Sequence, residues 1–356
     1  MDIAKIDRNF AQQTKRFENG MVEYTLPYEG FELYGIFYDE AGQRFLRVPT
    51  DVAKATSEGV LHLSTHTTGG RLRFSTDSTK LELEVEYDSL CRMSHMPIEG
   101  SSGFILLEDT DEELKHHCSF MPTYTDEKGY KRSSNLGEKK MRDYILFFPL
   151  YNDVKSLKIS LDEDATLLNR KAYRDIKPIL YYGSSITQGG CASRADNSYQ
   201  GFISKWNNVD YINLGFSGNG KAELAIVDYM ATIPCSLFVC DYDYNATTVE
   251  YLEETHYRLY EHFRAKQPTT PIIFISCPQP ETAIRGWERI EIIKKTYQTA
   301  KEKGDKNIYF INGYDFFEGV DRISCTVDRC HPNDLGFYRM AQRIYKTMCE
   351  IDEQFK

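Results

Sequence analysis

The sequence predicts an α/β protein in two parts. A β-sandwich or jelly roll covers residues 1–170, and a doubly wound parallel sheet with flanking helices covers residues 176–356. Three observations carry this prediction. Apolar residues alternate with period two in the first half, apolar runs alternate with helix-period segments in the second, and the charged stretch "DEDATLLNRKAYRDIK" (162–177) separates the two rhythms. A chain of 356 residues is long enough for two domains.

In the first half, "KLELEVEY" (80–87) gives the clearest signal. Leu81, Leu83, Val85 and Tyr87 point one way and Lys80, Glu82, Glu84 and Glu86 the other, as in a half-buried antiparallel strand. "SLKISL" (156–161) repeats the pattern with Leu157, Ile159 and Leu161. "FELYGIFY" (31–38), "QRFLRVP" (43–49), "RLRFST" (71–76), "GFILLED" (103–109) and "YILFFPL" (144–150) complete the set. Turn-forming stretches such as "TTGG" (67–70) and "DEKG" (126–129) separate them, and no long helical stripe intervenes.

In the second half, "PILYYG" (178–183), "VDYINLG" (209–215), "SLFVCDY" (236–242), "PIIFISC" (271–277) and "NIYFING" (307–313) read as buried parallel strands. Helix-like segments lie between and after them, at 247–266, 286–303 and 335–349. The last carries Phe337, Met340, Ala341, Ile344 and Met348 at helical spacing. Ligands of such sheets bind beyond the carboxyl ends of the strands, where the motifs described below all fall.

Composition narrows the function. Hydrophobic residues make up 41% and aromatics 13%, enough for packed cores. The net charge of −10, from 43 Lys+Arg against 53 Asp+Glu, opposes nucleic acid and anionic membranes as partners and leaves neutral substrates open. The start "MDIAKIDRNF" lacks the pattern of a secretory signal, and "YILFFPLY" (144–151) is too short to span a bilayer, so a cytoplasmic protein is expected. Nine scattered cysteines form no CxxC motif and read as reduced, mostly buried thiols.

The loop "YYGSSITQGG" (181–190) is uncharged and rich in small residues. It lacks the lysine of a Walker A loop, and Gly183, Gly189 and Gly190 do not fit a dinucleotide fingerprint. "LGFSGNG" (214–220) places Gly215, Gly218 and Gly220 in the reverse order for that fingerprint, which makes a nucleotide-binding enzyme a poor fit. A serine nucleophile needs a base, usually a histidine held by a carboxylate. Most of the eight histidines have ordinary readings. His62 and His66 fit one strand face, His116 and His117 a charged stretch, and His256 and His262 a polar helix. His331 stands apart in "DRCHPND" (328–334), with Asp328 three residues ahead and Pro332 fixing the next backbone position. Asn333 or Asp334 fits as the cap of the following helix.

Four blocks in order then resemble the SGNH, or GDSL-like, hydrolases: "YGSSITQG", "NLGFSGNG", "DYDYNA" and "DRCHPND". The resemblance implies a flavodoxin-like three-layer domain and a serine hydrolase that needs no metal or organic cofactor. It assigns Ser185 as nucleophile, His331 as base and Asp328 as its orienting partner. The backbone N–H groups of Ser185 and Gly218 and the side chain of Asn245 become oxyanion donors. Two blocks depart from the family pattern: Gly-Asp-Ser reads Gly183-Ser184-Ser185, and Gly-x-Asn-Asp reads Asp243-Tyr244-Asn245-Ala246. Ser184 is thus a second hydroxyl beside the nucleophile and a candidate for the substrate pocket, and Asp243 is either a substrate contact or a strand-end cap. Gly-x-Ser-x-Gly is absent, because Thr187 fills its last place.

A β-sandwich ahead of such a domain is also similar to certain carbohydrate esterases. The expected activity is therefore hydrolysis of small O-acyl esters, O-acetylated sugars above all. The expected partner is a small-molecule or oligosaccharide ester. The rivals are a lysophospholipase or thioesterase and a carbohydrate-binding protein without activity. Arg194, Asp196 and Tyr199 follow the nucleophile loop and are candidates for the pocket wall or for plain surface. Tyr34, Phe37 and Tyr38 suit either sugar stacking or the core. Cys330, next to His331, reads as a passive thiol.

Overall fold

The computed structural model describes residues 14–110, 112–169 and 171–356. The start "MDIAKIDRNF" (1–10), read above for its charge pattern, lies outside the described residues. Two antiparallel sheets build the first half. One runs in the order Thr14–Arg16, Met21–Thr25, Ser156–Asp162, Lys80–Glu86, Gly129–Asn135. The other runs Leu167–Leu168, Arg71–Thr76, Arg142–Phe147, Phe104–Asp109, Leu114–Phe120, with Glu32–Tyr34 also paired to Arg71–Thr76. They form a sandwich around one core, with Leu81, Leu83, Val85, Leu157 and Ile159 facing Leu72, Phe74, Leu106 and Leu146. The alternation of "KLELEVEY" is realised: its four apolar residues are buried while Lys80 and Glu86 are exposed.

Several elements differ from the period-based reading. "FELYGIFY" breaks into Glu32–Tyr34 and Phe37–Asp39 at Gly35. Gly35 has φ +75°, and a Cβ there would stand 2.0 Å from the Gly69 carbonyl oxygen, so no other residue fits this turn without movement. The edge strands Leu114–Phe120 and Gly129–Asn135 escape the reading because an edge strand half-covered by solvent needs no apolar alternation. Two short helices, Thr50–Thr56 and Glu58–Leu63, lie between the strands, so His62 sits on a helix and His66 on the loop after it rather than on one strand face.

"RLRFST" is buried along its whole length because both faces of its strand are covered. Leu72 and Phe74 enter the sandwich core, while Arg71 and Arg73 face the second half. Arg71 pairs with Asp210 and donates to the Tyr211 carbonyl at 2.9 Å; Arg73 donates to Asn208 Oδ1 and Asp109 Oδ2, each at 2.7 Å. Buried guanidinium groups persist only when paired and hydrogen-bonded in this way.

All five predicted strands of the second half form, and all are parallel. Their order is Tyr211–Gly215, Ile179–Gly183, Leu237–Asp241, Ile272–Ile275, Ile308–Ile311. Numbered along the chain this is 2-1-3-4-5, the flavodoxin-like order, with its switch point beside the first strand. Helices Tyr199–Asn207 and Asp334–Ile351 cover one face, with Phe337, Met340, Ala341, Ile344 and Met348 buried as their spacing predicts. Helices Leu224–Met230, Val249–Lys266 and Gly286–Glu302 cover the other. The first half joins both layers: Ile105, Ile145 and Phe147 pack into one and Val48, Val60 and Leu63 into the other. Among the described residues no helix is long and apolar enough to cross a membrane.

Candidate active site

Three chain segments meet at the carboxyl ends of the first three parallel strands. The first is the turn after Gly183. Ser184 caps the short helix Ser185–Gln188 by accepting from the Ile186 N–H at 3.2 Å, and its side chain is fully buried. The hydroxyl beside the candidate nucleophile is therefore a cap, not part of a pocket. Ser185 is half-buried and opens the helix, so its N–H has no intrahelical acceptor. Gly189 closes the helix at φ +101°.

The second segment is the turn after Gly215. The Phe216 N–H donates to the Gly183 carbonyl at 3.0 Å, and the Phe216 carbonyl accepts from Asn219 and Gly220 at 2.9 and 3.0 Å. Gly218 lies at φ +68°, with nothing within 4 Å of where a Cβ would sit. No backbone acceptor meets its N–H among the described residues. The third segment is the single helical turn Asp243–Asn245. Asn245 Nδ2 donates one proton to the Phe216 carbonyl at 2.9 Å, which leaves its second for a ligand. Asp243 faces inward: it is 1% exposed, its carboxylate accepts from the Cys277 N–H at 2.8 Å, and burial pushes its carboxyl up to about 6. Of its two sequence readings, this geometry matches the cap at the strand end.

The segment "DRCHPND" arrives from the other end of the domain. The Val327 N–H donates to the His331 carbonyl at 2.9 Å, closing a loop ahead of helix Asp334–Ile351. Asn333 caps that helix through the Gly336 N–H at 3.1 Å, whereas Asp334 accepts from the Ser193 N–H at 2.8 Å and ties in the loop after the nucleophile. The loop places His331 Nε2 2.8 Å from Ser185 Oγ and His331 Nδ1 2.7 Å from Asp328 Oδ2. Asp328 Oδ1 also accepts from the His331 and Cys330 N–H groups at 2.7 and 3.1 Å. Partial burial works to raise the Asp328 carboxyl, but these donors outweigh it and hold it below its ordinary value. The Cys330 thiol is pushed up to about 12 by burial and by the charge of Asp328, so it stays protonated.

The remaining candidates lie apart. Tyr199 is fully buried in the core, its ring 5.5 Å from that of Tyr181. Arg194 and Lys205 both pair with the buried Asp196, at 3.2 and 2.7 Å, which makes Arg194 a fastener rather than a pocket wall. Tyr34 and Tyr38 pack edge-on against Tyr173 and Phe45. Conversely, three residues of the first half reach the site without any signal in their own sequence. Tyr151 Oη donates to the Ser185 carbonyl at 3.3 Å, the exposed His95 ring stands 6.0 Å from that of His331, and His66 Nδ1 lies 3.1 Å from Gln188 Nε2.

A serine, a histidine and a carboxylate in series, open to solvent and next to several N–H donors, can carry out acyl transfer. Comparison with known proteins agrees. Residues 176–349 match the GDSL-like lipase/acylhydrolase family, and residues 23–167 match the N-terminus of SGNH-hydrolase-type esterases. A crystal structure described as a GDSL-like lipase from Bacteroides ovatus superposes with a TM-score of 0.83 at 26% identity, over 93% of this chain and 98% of its own. The salicylyl-acyltransferase SsfX3 of a tetracycline biosynthetic pathway superposes at 0.73 and 16% identity, over 96% and 98%. A family two carbohydrate esterase from Clostridium thermocellum superposes at 0.64 and 12% identity, over 90% and 98%. The last two likenesses are of fold. No curated protein matches the chain.

Proposed function

Because the chain belongs to the GDSL-like lipase/acylhydrolase family, we propose that it is a serine esterase for small O-acyl esters, with O-acetylated carbohydrates as the leading substrate class. The observation that carries this reading is the series Ser185–His331–Asp328, closed by hydrogen bonds of 2.8 and 2.7 Å. Ser185 Oγ attacks the ester carbonyl carbon while its proton passes to His331 Nε2. Asp328 keeps the other ring nitrogen protonated and fixes the ring. The carbonyl electrons move onto oxygen, where the N–H groups of Ser185 and Gly218 and the free Asn245 proton stabilise the charge, by about 3–4 kcal/mol per donor. Collapse breaks the bond to the alcohol oxygen, which takes the proton from His331. Water then repeats the sequence, releases the acid and restores Ser185.

The exposure of the site supports a bulky alcohol: the side chains of His331 and Asp328 are 23% and 41% exposed, so a large alcohol has room outside. The net charge of −10 supports a neutral partner rather than nucleic acid or an anionic membrane. Nine free cysteines support a reducing, cytoplasmic setting. The test is hydrolysis of p-nitrophenyl acetate and butyrate by the wild type and Ser185→Ala, followed by acetylated sugars. Equal rates for the two proteins overturn the reading, and sugar affinity without turnover marks a binding protein instead.

One observation favours a second reading, a hydrolase of longer acyl chains. A cleft of about 450 Å³, lined in part by Met93, Met96, Met121 and Tyr124, lies on the loop that carries His95 towards His331. A rate that rises from acetate to octanoate esters supports this reading, and a fall supports the first.

A further inference from the structure

Gln188, at the end of the nucleophile helix, faces the first half of the chain. Its Nε2 stands 3.1 Å from His66 Nδ1 and 3.2 Å from the Leu150 carbonyl oxygen, and its Oε1 stands 2.9 Å from the Ser217 nitrogen. The partners fix the amide's orientation. The Leu150 carbonyl can only accept and the Ser217 N–H can only donate, so the amide nitrogen faces His66. His66 Nδ1 must then be the acceptor, which puts the ring proton on Nε2. Burial, with the charges of Arg47 and His62, pushes this imidazole down to about 3, so the ring stays neutral and the acceptor stays available.

Ser217 precedes Gly218, so the peptide held by Gln188 Oε1 adjoins the one carrying the Gly218 N–H. The same turn is braced from behind. Arg47, 2% exposed, donates through Nε to the His66 carbonyl at 2.7 Å and through Nη1 to the Asn213 and Gly215 carbonyls at 2.9 and 2.8 Å. Its guanidinium lies 4.6 Å from the Phe216 ring centroid. The first half thus grips both the strand that enters the turn and, through Gln188, the turn itself.

We propose that His66 is a positioning residue for the Gly218 N–H, acting through Gln188 on Ser217, so that the β-rich half sets the geometry of the oxyanion donors. The inference rests on the serine esterase reading above. Without an acceptor at His66, one Gln188 Nε2 proton is left without its partner and only the Leu150 carbonyl, at 3.2 Å, still anchors the amide nitrogen, so the hold on Ser217 loosens. An error of about 1 Å in a catalytic group can cost about 10²-fold in rate.

The test compares wild type, His66→Phe, His66→Asn and Ser185→Ala on p-nitrophenyl acetate. It adds inhibition by a trifluoromethyl ketone, whose hemiketal oxygen occupies the same donors. His66→Phe is expected to lower kcat by about tenfold or more while KM stays within about twofold, and to weaken the ketone by a similar factor. His66→Asn, whose Oδ1 stands where Nδ1 stood, restores both. An unchanged kcat in His66→Phe, or a loss of kcat with ketone affinity intact, overturns the proposal. Two readings do not depend on activity, and the first needs only the wild type. Nitrogen NMR of the wild type must show His66 protonated at Nε2; the opposite tautomer overturns the proposal. Amide exchange over residues 216–220 must quicken in His66→Phe and stay near the wild-type rate in His66→Asn, and unchanged exchange in His66→Phe overturns it. If wild type and Ser185→Ala share one rate, the esterase reading has failed, and these two measurements alone decide the placement of the turn.

Discussion

Ser185 Oγ and His331 Nε2 stand 2.8 Å apart although 146 residues separate them in the chain. Four elements make this contact: strand Ile179–Gly183, the cap at Ser184, the loop closed by Val327 and His331, and the helix capped by Asn333.

The two adjacent serines have different tasks. Ser185→Ala is expected to lower kcat by about 10³-fold or more, because among the described residues no other hydroxyl hydrogen-bonds to the His331 ring. Ser184→Ala is expected to keep activity within about threefold and to lose about 1 kcal/mol of stability with the cap. Steady-state kinetics and thermal unfolding of both variants check this.

Asn245→Ala removes a side-chain donor that also braces the Phe216 carbonyl. It should lower kcat by about 10²-fold with little change in KM, and cost about 1 kcal/mol of stability. Gly218→Ala is different. The new Cβ meets no atom within 4 Å, so the cost is backbone strain at φ +68°, about 1–2 kcal/mol. Paired kinetic and melting measurements separate the two effects.

Asp241 lies under the nucleophile turn, 6% exposed, in contact with the Thr187 hydroxyl. Burial pushes its carboxyl up to about 8, against about 3.9 in an unfolded chain. The folded protein therefore binds a proton that the unfolded chain releases. The stability linked to that proton is complete below about pH 4 and is lost as pH rises towards 8. Asp241→Asn cannot ionise, so between pH 5 and pH 8 it should lose less stability than the wild type, by about 2–4 kcal/mol. Urea unfolding at both pH values measures the difference.

Arg47 is buried with four backbone carbonyls and, among the described residues, pairs with no carboxylate. Arg47→Met removes the donor that each of these carbonyls shares at the junction of the two halves, and among the described residues only the Leu63 carbonyl keeps another, the His66 N–H at 3.1 Å. A loss of about 3–5 kcal/mol is expected, read as a fall in melting temperature.

The sequence by itself determined the sheet of the second half and the identity of its carboxyl-end motifs. Runs such as "PILYYG" and "SLFVCDY" are continuous because strands covered on both faces have no polar side to show. Asp328 and His331 were legible because their bond spans only three residues, within reach of a single turn. "KLELEVEY" was legible for the opposite reason: one face meets the core and the other meets water.

Only the tertiary structure decided which neighbours of the site act on it. It buried Ser184 and Tyr199, turned Asp243 inward and set Arg194 on Asp196. It brought Arg47, His66, His95 and Tyr151 to the site from the β-rich half. The physical reason is range. Periodicity reports whether one face of one element is covered, whereas the Gln188–His66 bond spans 122 residues and depends on how two finished sheets pack. A buried arginine such as Arg71 reads locally as a solvent-facing charge, and the carbonyls and carboxylate that make its burial tolerable belong to another part of the chain.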